Sequence, residues 1–284
     1  MIEIGKYNLL VADKYTDHGL FLHHQDDIEN RILLIGTELR LLEKPIEIGE
    51  KIMVFVYLDS ENRPTATLKN PKVTLHQIAP LKITAKTDKG LFADFGMPKD
   101  LFIPFMEVNK PLNESDLALV FMYLDPNTNR LAGTTRLHNV LENSNLNYTV
   151  GQEVNIMIWE QTDLGYKVII NEKHIGLVFQ NEIFKDIYPG KIMTAYIKRV
   201  REDNKIDVTL NKIGIENLQD GSQIILQKLK ENGGILNLSD SSPPELIYKM
   251  LKMSKKNFKR SAGMLYKQGK IRINTDSIFL SLEE

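Results

Sequence analysis

The sequence predicts a multi-domain, mainly β chain: three small five-stranded barrels in tandem, followed by an α+β domain of a different kind. Three observations carry this. A phrase recurs at Gly19-Leu20-Phe21-Leu22, Gly90-Leu91-Phe92-Ala93 and, weakened, Gly165-Tyr166-Lys167-Val168. The copies lie roughly 70 residues apart, about the size at which a small domain can fold alone. A second phrase travels with the first: Tyr57-Leu58-Asp59 leads to Arg63-Pro64-Thr65, and Tyr123-Leu124-Asp125 leads to Arg130-Leu131-Ala132. Beyond Gly214 the apolar period changes from two to about 3.6, which marks a different domain. The expected units are residues 1–69, 70–143, 144–215 and 216–284.

In the first unit, short runs bounded by Asp, Gly and His read as strands at Lys6 to Val11, Gly19 to Leu22 and Ile32 to Ile35. The clearest strand follows Gly49, with Ile52, Val54, Val56 and Leu58 on one face and Met53, Phe55 and Tyr57 on the other. A strand apolar on both faces needs a cover on its second side. A neighbouring unit is the favoured cover, and a ligand the alternative. A turn at Asp59 to Asn62 leads to a last strand from Pro64 to Leu68.

The second unit repeats the order through Leu81 to Ile83, Gly90 to Phe92, Leu101 to Pro104, Leu117 to Leu124 and Arg130 to Thr134. The third does so through Val154 to Trp159, Gly165 to Val168, Gly176 to Phe179, Gly190 to Arg199 and Lys205 to Leu210. Five short strands with turns at modest spacing predict a small closed barrel each time.

The last unit reads as a helix from Ser222 to Asn232, stopped by Gly233-Gly234, then a second helix from a capping box at Ser242-Pro243-Pro244-Glu245. A third helix, capped by Ser254 and ended by Gly269, buries Phe258, Ala262 and Leu265, and a hairpin runs from Lys270 to Leu282. Three helices followed by a hairpin is the order of a winged helix-turn-helix.

Composition narrows the chemistry. The chain has no cysteine, which removes disulfides, thiolate catalysis and sulfur-ligated metals and fits a reducing cytoplasm. Strand-like alternation from Met1 to Lys6 leaves no signal peptide. No apolar run approaches the ~20 residues of a membrane span. The formal net charge is −1, low for a protein held to nucleic acid by phosphates. By segment it runs from roughly −5 over residues 1–67 and +2 over 68–140 to about −1 over 141–215 and +3 over 216–284. Phosphate attraction should therefore strengthen toward the C-terminus.

A barrel with Gly-Leu-Phe in its second strand, a Gly before a long fourth strand, and Asp then Arg around the last turn resembles the S1 domain, an RNA-binding OB-fold. The resemblance implies bases stacked on strands two and three beside cations that hold phosphates. Its first aromatic position falls at His18, Lys89 and Leu164, its second at Phe21, Phe92 and Lys167, and the strand-three position near Ile35, Pro104 and Phe179. The aromatic pair is therefore incomplete in every copy. The cation before the last strand is Arg63, Arg130 and Lys205, and Lys198, Arg199 and Arg201 add a cluster in copy three. Such charges also serve simply to keep strand edges solvated. In the third helix, Lys255, Lys256, Lys259, Arg260 and Lys267 share a sector beside the buried stripe, the face that a winged helix offers to nucleic acid. Solubility is its plainer explanation.

Other chemistry finds little support. His23 and His24 are neighbours that point to opposite faces of a strand, and His76, His138 and His174 are scattered singles, so no metal site is expected. No phosphate-binding Gly-rich loop or dinucleotide fingerprint is present, and no cofactor is expected. Acidic residues sit at turns and caps; a nuclease built on them remains an alternative without a cluster to support it.

Three S1-like barrels and a winged helix in this order resemble the conserved virulence factor B family of bacterial RNA-binding regulators. Membership implies a cytoplasmic, non-enzymatic protein acting on gene expression through RNA. The leading expectation is a monomer that binds single-stranded RNA through the third barrel and the winged helix. A DNA-binding transcription regulator and a scaffold docking on a ribosome or RNA polymerase are the alternatives.

Overall fold

The computed structural model describes residues 1–40, 42–183, 186–212 and 215–281. Gly214, where the period was expected to change, and Leu282, the expected end of the hairpin, lie outside them. The chain divides into two compact units, Met1–Leu141 and Glu142–Glu284.

The first unit holds two closed barrels. One is built from β1 (Tyr7–Thr16), β2 (Gly19–His24), β3 (Asp27–Ile35), β4 (Lys51–Leu58) and β5 (Pro64–Thr67), with a one-turn helix α1 (Gly36–Leu39) after β3. The other comprises β6 (Ile78–Lys86), β7 (Gly90–Asp94), β8 (Leu101–Pro104), β9 (Leu117–Leu124) and β10 (Leu131–Thr134). In each, the first three strands form a meander and the last runs parallel to the third, closing the cylinder through the fourth. Closure removes the free edges that open sheets expose.

The two-faced strand β4 finds its cover in the neighbouring barrel. Val54 and Val56 enter the first barrel's core, whereas Phe55 and Tyr57 join a cluster with Leu81, Leu91, Ile103 and Met122 of the second. Packing, not a ligand, covers these two rings. Met53 stays open at 56% exposure.

The second unit holds a third closed barrel, β11 (Glu153–Thr162), β12 (Gly165–Ile170), β13 (His174–Phe179), β14 (Ile192–Val200) and β15 (Ile206–Thr209). After it come α2 (Ile215–Glu231), β16 (Ile235–Leu236), α3 (Pro244–Leu251), α4 (Lys255–Lys267), β17 (Ile271–Ile273) and β18 (Ile278–Leu280). The strands form a sheet in the order β16-β18-β17, with β16 the strand that the sequence did not announce. A separate core of Ile225, Leu229, Ile247, Phe258, Ala262 and Leu265 holds the helices.

Two helix starts differ in kind. Ser254 caps α4, its Oγ accepting from Asn257 N at 3.1 Å. The expected capping box at Ser242 does not form: Ser242 Oγ accepts from Ser239 N at 2.9 Å, and Pro243 stands at the N-cap with no side-chain bond. A turn from Ser239 to Ser242 captures the hydroxyl before the helix can use it. The first helix also begins earlier than Ser222, at Ile215.

The recurring phrase has a physical cause. A Cβ on Gly19, Gly90 or Gly165 would stand 2.1, 2.4 or 2.1 Å from the carbonyl oxygen of Leu34, Ile103 or Val178. Only glycine lets β2, β7 and β12 come this close to the next strand. Three residues earlier, Thr16, Thr87 and Thr162 each donate from Oγ1 to that glycine's carbonyl, at 3.1, 3.0 and 3.1 Å. The repeated unit is thus Thr-Asp-x-Gly, longer than its three visible apolar letters. One extra residue also bulges the first strand of every barrel, at Asp13, Thr84 and Trp159, bending it as closure requires.

Candidate nucleic-acid interface

The strand pairing aligns the three candidate faces residue by residue. Phe21 stands opposite Leu33, Phe92 opposite Phe102, and Lys167 opposite Leu177. Ile35, Pro104 and Phe179 instead face Gly19, Gly90 and Gly165, two residues further along the same side. Phe102 was therefore missed by counting from motif to motif, although it lies two residues before Pro104 on a strand and so must share its face. The Phe92 and Phe102 rings lie 5.3 Å apart, tilted by 48°, and both are half-buried. Only the second barrel carries such an aromatic pair at these two positions.

The cations before each last strand fare differently. Arg63 folds back on its own turn, with Nη2 2.8 Å from Asp59 and Nη1 2.9 Å from Glu61. Lys205 lies 2.7 Å from Asp203, whose carboxyl it holds below the ordinary value through that hydrogen bond. Arg130 has no ion pair among the described residues. Its turn is one residue longer and brings Pro126-Asn127 where the first barrel has Ser60-Glu61, so no carboxylate follows the aspartate.

In the third barrel, Phe179 lies under two cations, 5.6 Å from Lys198 Nζ and 5.8 Å from the Arg201 guanidinium. Both cations are also engaged by acids. Lys198 contacts Glu182, and Arg201 holds Asp207 in two bonds of 3.1 and 2.7 Å. The hydrogen bond with Asp207 raises the Arg201 pKa above its ordinary value. Lys167 pairs with Glu160 at 2.8 Å and lies 5.3 Å from the buried Trp159 ring. Arg199 is exposed and has no ion pair among the described residues. A phosphate approaching this barrel meets cations already partly compensated.

The helix α4 is different. Its buried side is Phe258, Ser261, Ala262 and Leu265, and the 3.6-residue turn carries Lys256, Arg260 and Lys267 to the opposite side, where all three are exposed. None of these three has an ion pair among the described residues. Lys259 lies 3.4 Å from Asp240, and Lys255 is half-buried at the flank. Gly263 falls among them by helical spacing, and a Cβ there would meet nothing within 4 Å.

A model of the CvfB-like winged helix domain matches residues 223–280, and a model of the S1 domain matches residues 4–69. Conserved virulence factor B of Staphylococcus epidermidis is 28% identical over 248 residues, 84% of this chain and 83% of that protein. Over most of its length the chain is similar to the conserved virulence factor B proteins. Another relative, YitL of Bacillus subtilis, is 26% identical over 281 residues, 94% of this chain and 90% of its own. A crystal structure of a multidomain protein with nucleic acid binding domains from Streptococcus pneumoniae aligns over 98% of each chain, at 21% identity and a TM-score of 0.44. The two matched domains, S1 and winged helix, are of nucleic-acid-binding kinds. Among the described residues no helix is long and apolar enough to cross a membrane.

Proposed function

We propose that this protein is a cytoplasmic, non-enzymatic regulator of gene expression that binds single-stranded RNA as a monomer. The second unit supplies the main contact. The carrying observation is the outer face of α4, where Lys256, Arg260 and Lys267 are exposed and uncompensated around Gly263. The Phe179, Lys198 and Arg201 group of the third barrel adds stacking and charge, and its acids moderate the affinity. Every base has a flat face and every nucleotide a phosphate, so such surfaces bind single strands with little sequence preference.

Binding of unstructured RNA should weaken as salt rises, because each neutralised phosphate releases counterions. Replacing Lys256, Arg260 and Lys267 together by Ala should weaken it further and flatten the slope of log K against log salt by about 2, at ~0.7 per phosphate contact on a single strand. An unchanged slope in a folded triple variant defeats this placement. A second reading rests on the same helix, since α4 of a winged helix can also enter the major groove of duplex DNA. Competition decides between them: excess duplex DNA that displaces RNA favours the second reading, and RNA that resists it favours the first.

A further inference from the structure

The three-stranded sheet that follows the third barrel uses only one of its sides for the core. Its inner side, with Leu236, Ile271 and Ile278, joins the cluster that holds Phe258 and Leu265 of α4. Its outer side carries a different set. Strand register puts Phe279 of the central strand β18 directly opposite Ile235 of β16 on one flank and Arg272 of β17 on the other. From this we infer that the outer face of the sheet is a second contact for single-stranded RNA, where one unpaired base stacks on Phe279 while Lys270 and Arg272 hold its phosphates. The inference rests on the reading of the chain as a binder of single strands, and adds a face separate from the outer side of α4.

Strand alternation builds this face. Leu236, Ile271 and Ile278 turn inward, each 1% exposed, so their neighbours Ile235, Arg272 and Phe279 turn outward. Ile235 is 46% exposed, Arg272 is exposed, and Phe279 is partly exposed between them. Lys270 precedes Arg272 by two residues, which gives it the same side, and its carbonyl accepts from Ser281 N at 3.0 Å. The face therefore runs from two cations, through a ring, to an aliphatic edge. Neighbouring strands stand ~4.8 Å apart. One strand of separation lets long cationic side chains reach the phosphate of a nucleotide whose base covers the ring.

The charges favour a polynucleotide as the occupant. Neither Lys270 nor Arg272 has an ion pair among the described residues, and no carboxylate shares this face among the described residues of the three strands. An arginine fork and an ammonium group match phosphate oxygens, while a single ring suits the flat face of any base. Stacking there needs a base whose face is free, which a duplex does not offer. The tip of the hairpin is a different place. Asn274 N donates to Ser277 O at 2.8 Å, so the tip is Thr275-Asp276, and its carboxylate repels phosphates.

The test uses the full chain and a short oligouridylate carrying 4-thiouridine, with photocrosslinking, peptide mapping and affinities measured across a salt series. We expect adducts in the peptide from Ile271 to Ser281. Phe279→Leu, which keeps apolar volume and removes the flat face, should lower affinity about fivefold or more, the lower range for a stacked base. Phe279→Tyr, which restores the face, should bind as the natural chain does. Replacing Lys270 and Arg272 together by Gln should reduce the slope of log K against log salt by about 1.4, at ~0.7 per phosphate contact on a single strand. Both side chains are exposed, so this variant reads the face even where Phe279→Leu disturbs folding. Adducts confined to α4 or the third barrel, with affinity and slope unchanged in these variants, overturn the sheet face and leave the single-strand reading standing. A self-association of the chain that Phe279→Leu abolishes, with RNA affinity unchanged, shows a face covered by protein and overturns it too. Duplex RNA of the same length that displaces the oligonucleotide at equal concentration overturns the stacked base. If no RNA binds the intact chain at all, both readings fall together.

Discussion

The aspartate that ends each Tyr-Leu-Asp phrase is a turn residue. Asp59 Oδ1 accepts from the backbone N–H of Glu61 and Arg63 at 2.8 and 3.0 Å, and Asp125 Oδ1 from that of Asn127 and Thr128 at 2.7 and 3.2 Å. The Arg63 backbone N–H, and then its guanidinium, hold the Asp59 carboxyl below its ordinary value against a desolvation that pushes the other way. The sign follows from linkage. A depressed carboxylate stabilises the fold fully above its unfolded pKa, and that contribution is lost as pH falls toward the folded one. Asp59→Asn should therefore lower stability at neutral pH and flatten the acid limb of a denaturation profile. Equal loss at all pH values would show that the turn needs the shape of the side chain and not its charge. The phrase glycines give a sharper case. Gly165→Ala places a Cβ where the Val178 carbonyl oxygen stands, at φ +147°, and should cost about 1–3 kcal/mol or more in a denaturant titration.

At the scale of the element, α4 carries a conflict that its surroundings do not resolve. Glycine inside a helix costs about 1 kcal/mol relative to alanine, and the space beside Gly263 is empty. A close approach by a ligand backbone would account for it, since Lys256, Lys259, Arg260 and Lys267 lie one or two turns away. Gly263→Ala should then raise the stability of the chain by up to about 1 kcal/mol, read by thermal denaturation, while weakening RNA binding. A variant that gains stability with unchanged affinity would leave the glycine without a role on this face. The helix start behaves conventionally. Ser254→Ala removes the bond to Asn257 N and should cost about 1 kcal/mol.

At the scale of the whole molecule, the first unit is not two independent beads. Phe55 and Tyr57 belong to the first barrel by sequence and to the second by packing, and Leu75 N donates to Gly5 O at 2.8 Å across the same junction. Phe55→Ala should cost about 3–5 kcal/mol and should lower amide exchange protection in β7 and β8 as much as in β4. Protection lost in the first barrel alone would show that the two fold separately.

The sequence by itself determined the number of barrels, their strand order and the buried stripe of α4, because these follow from periodicity and from residues that constrain their own neighbours. Even the covering of Phe55 and Tyr57 was legible, since a strand apolar on both sides must be buried twice. Tertiary structure alone decided which cations remain available. Lys198 meets an acid 16 positions away, and Lys259 meets Asp240 at 3.4 Å. It also decided that Phe102 stands beside Phe92, and that Ser242 bonds within its turn instead of capping a helix. Local pattern sets which conformations a segment can take, but charge compensation and ring contact depend on distances between segments, and those are fixed only when the barrels close.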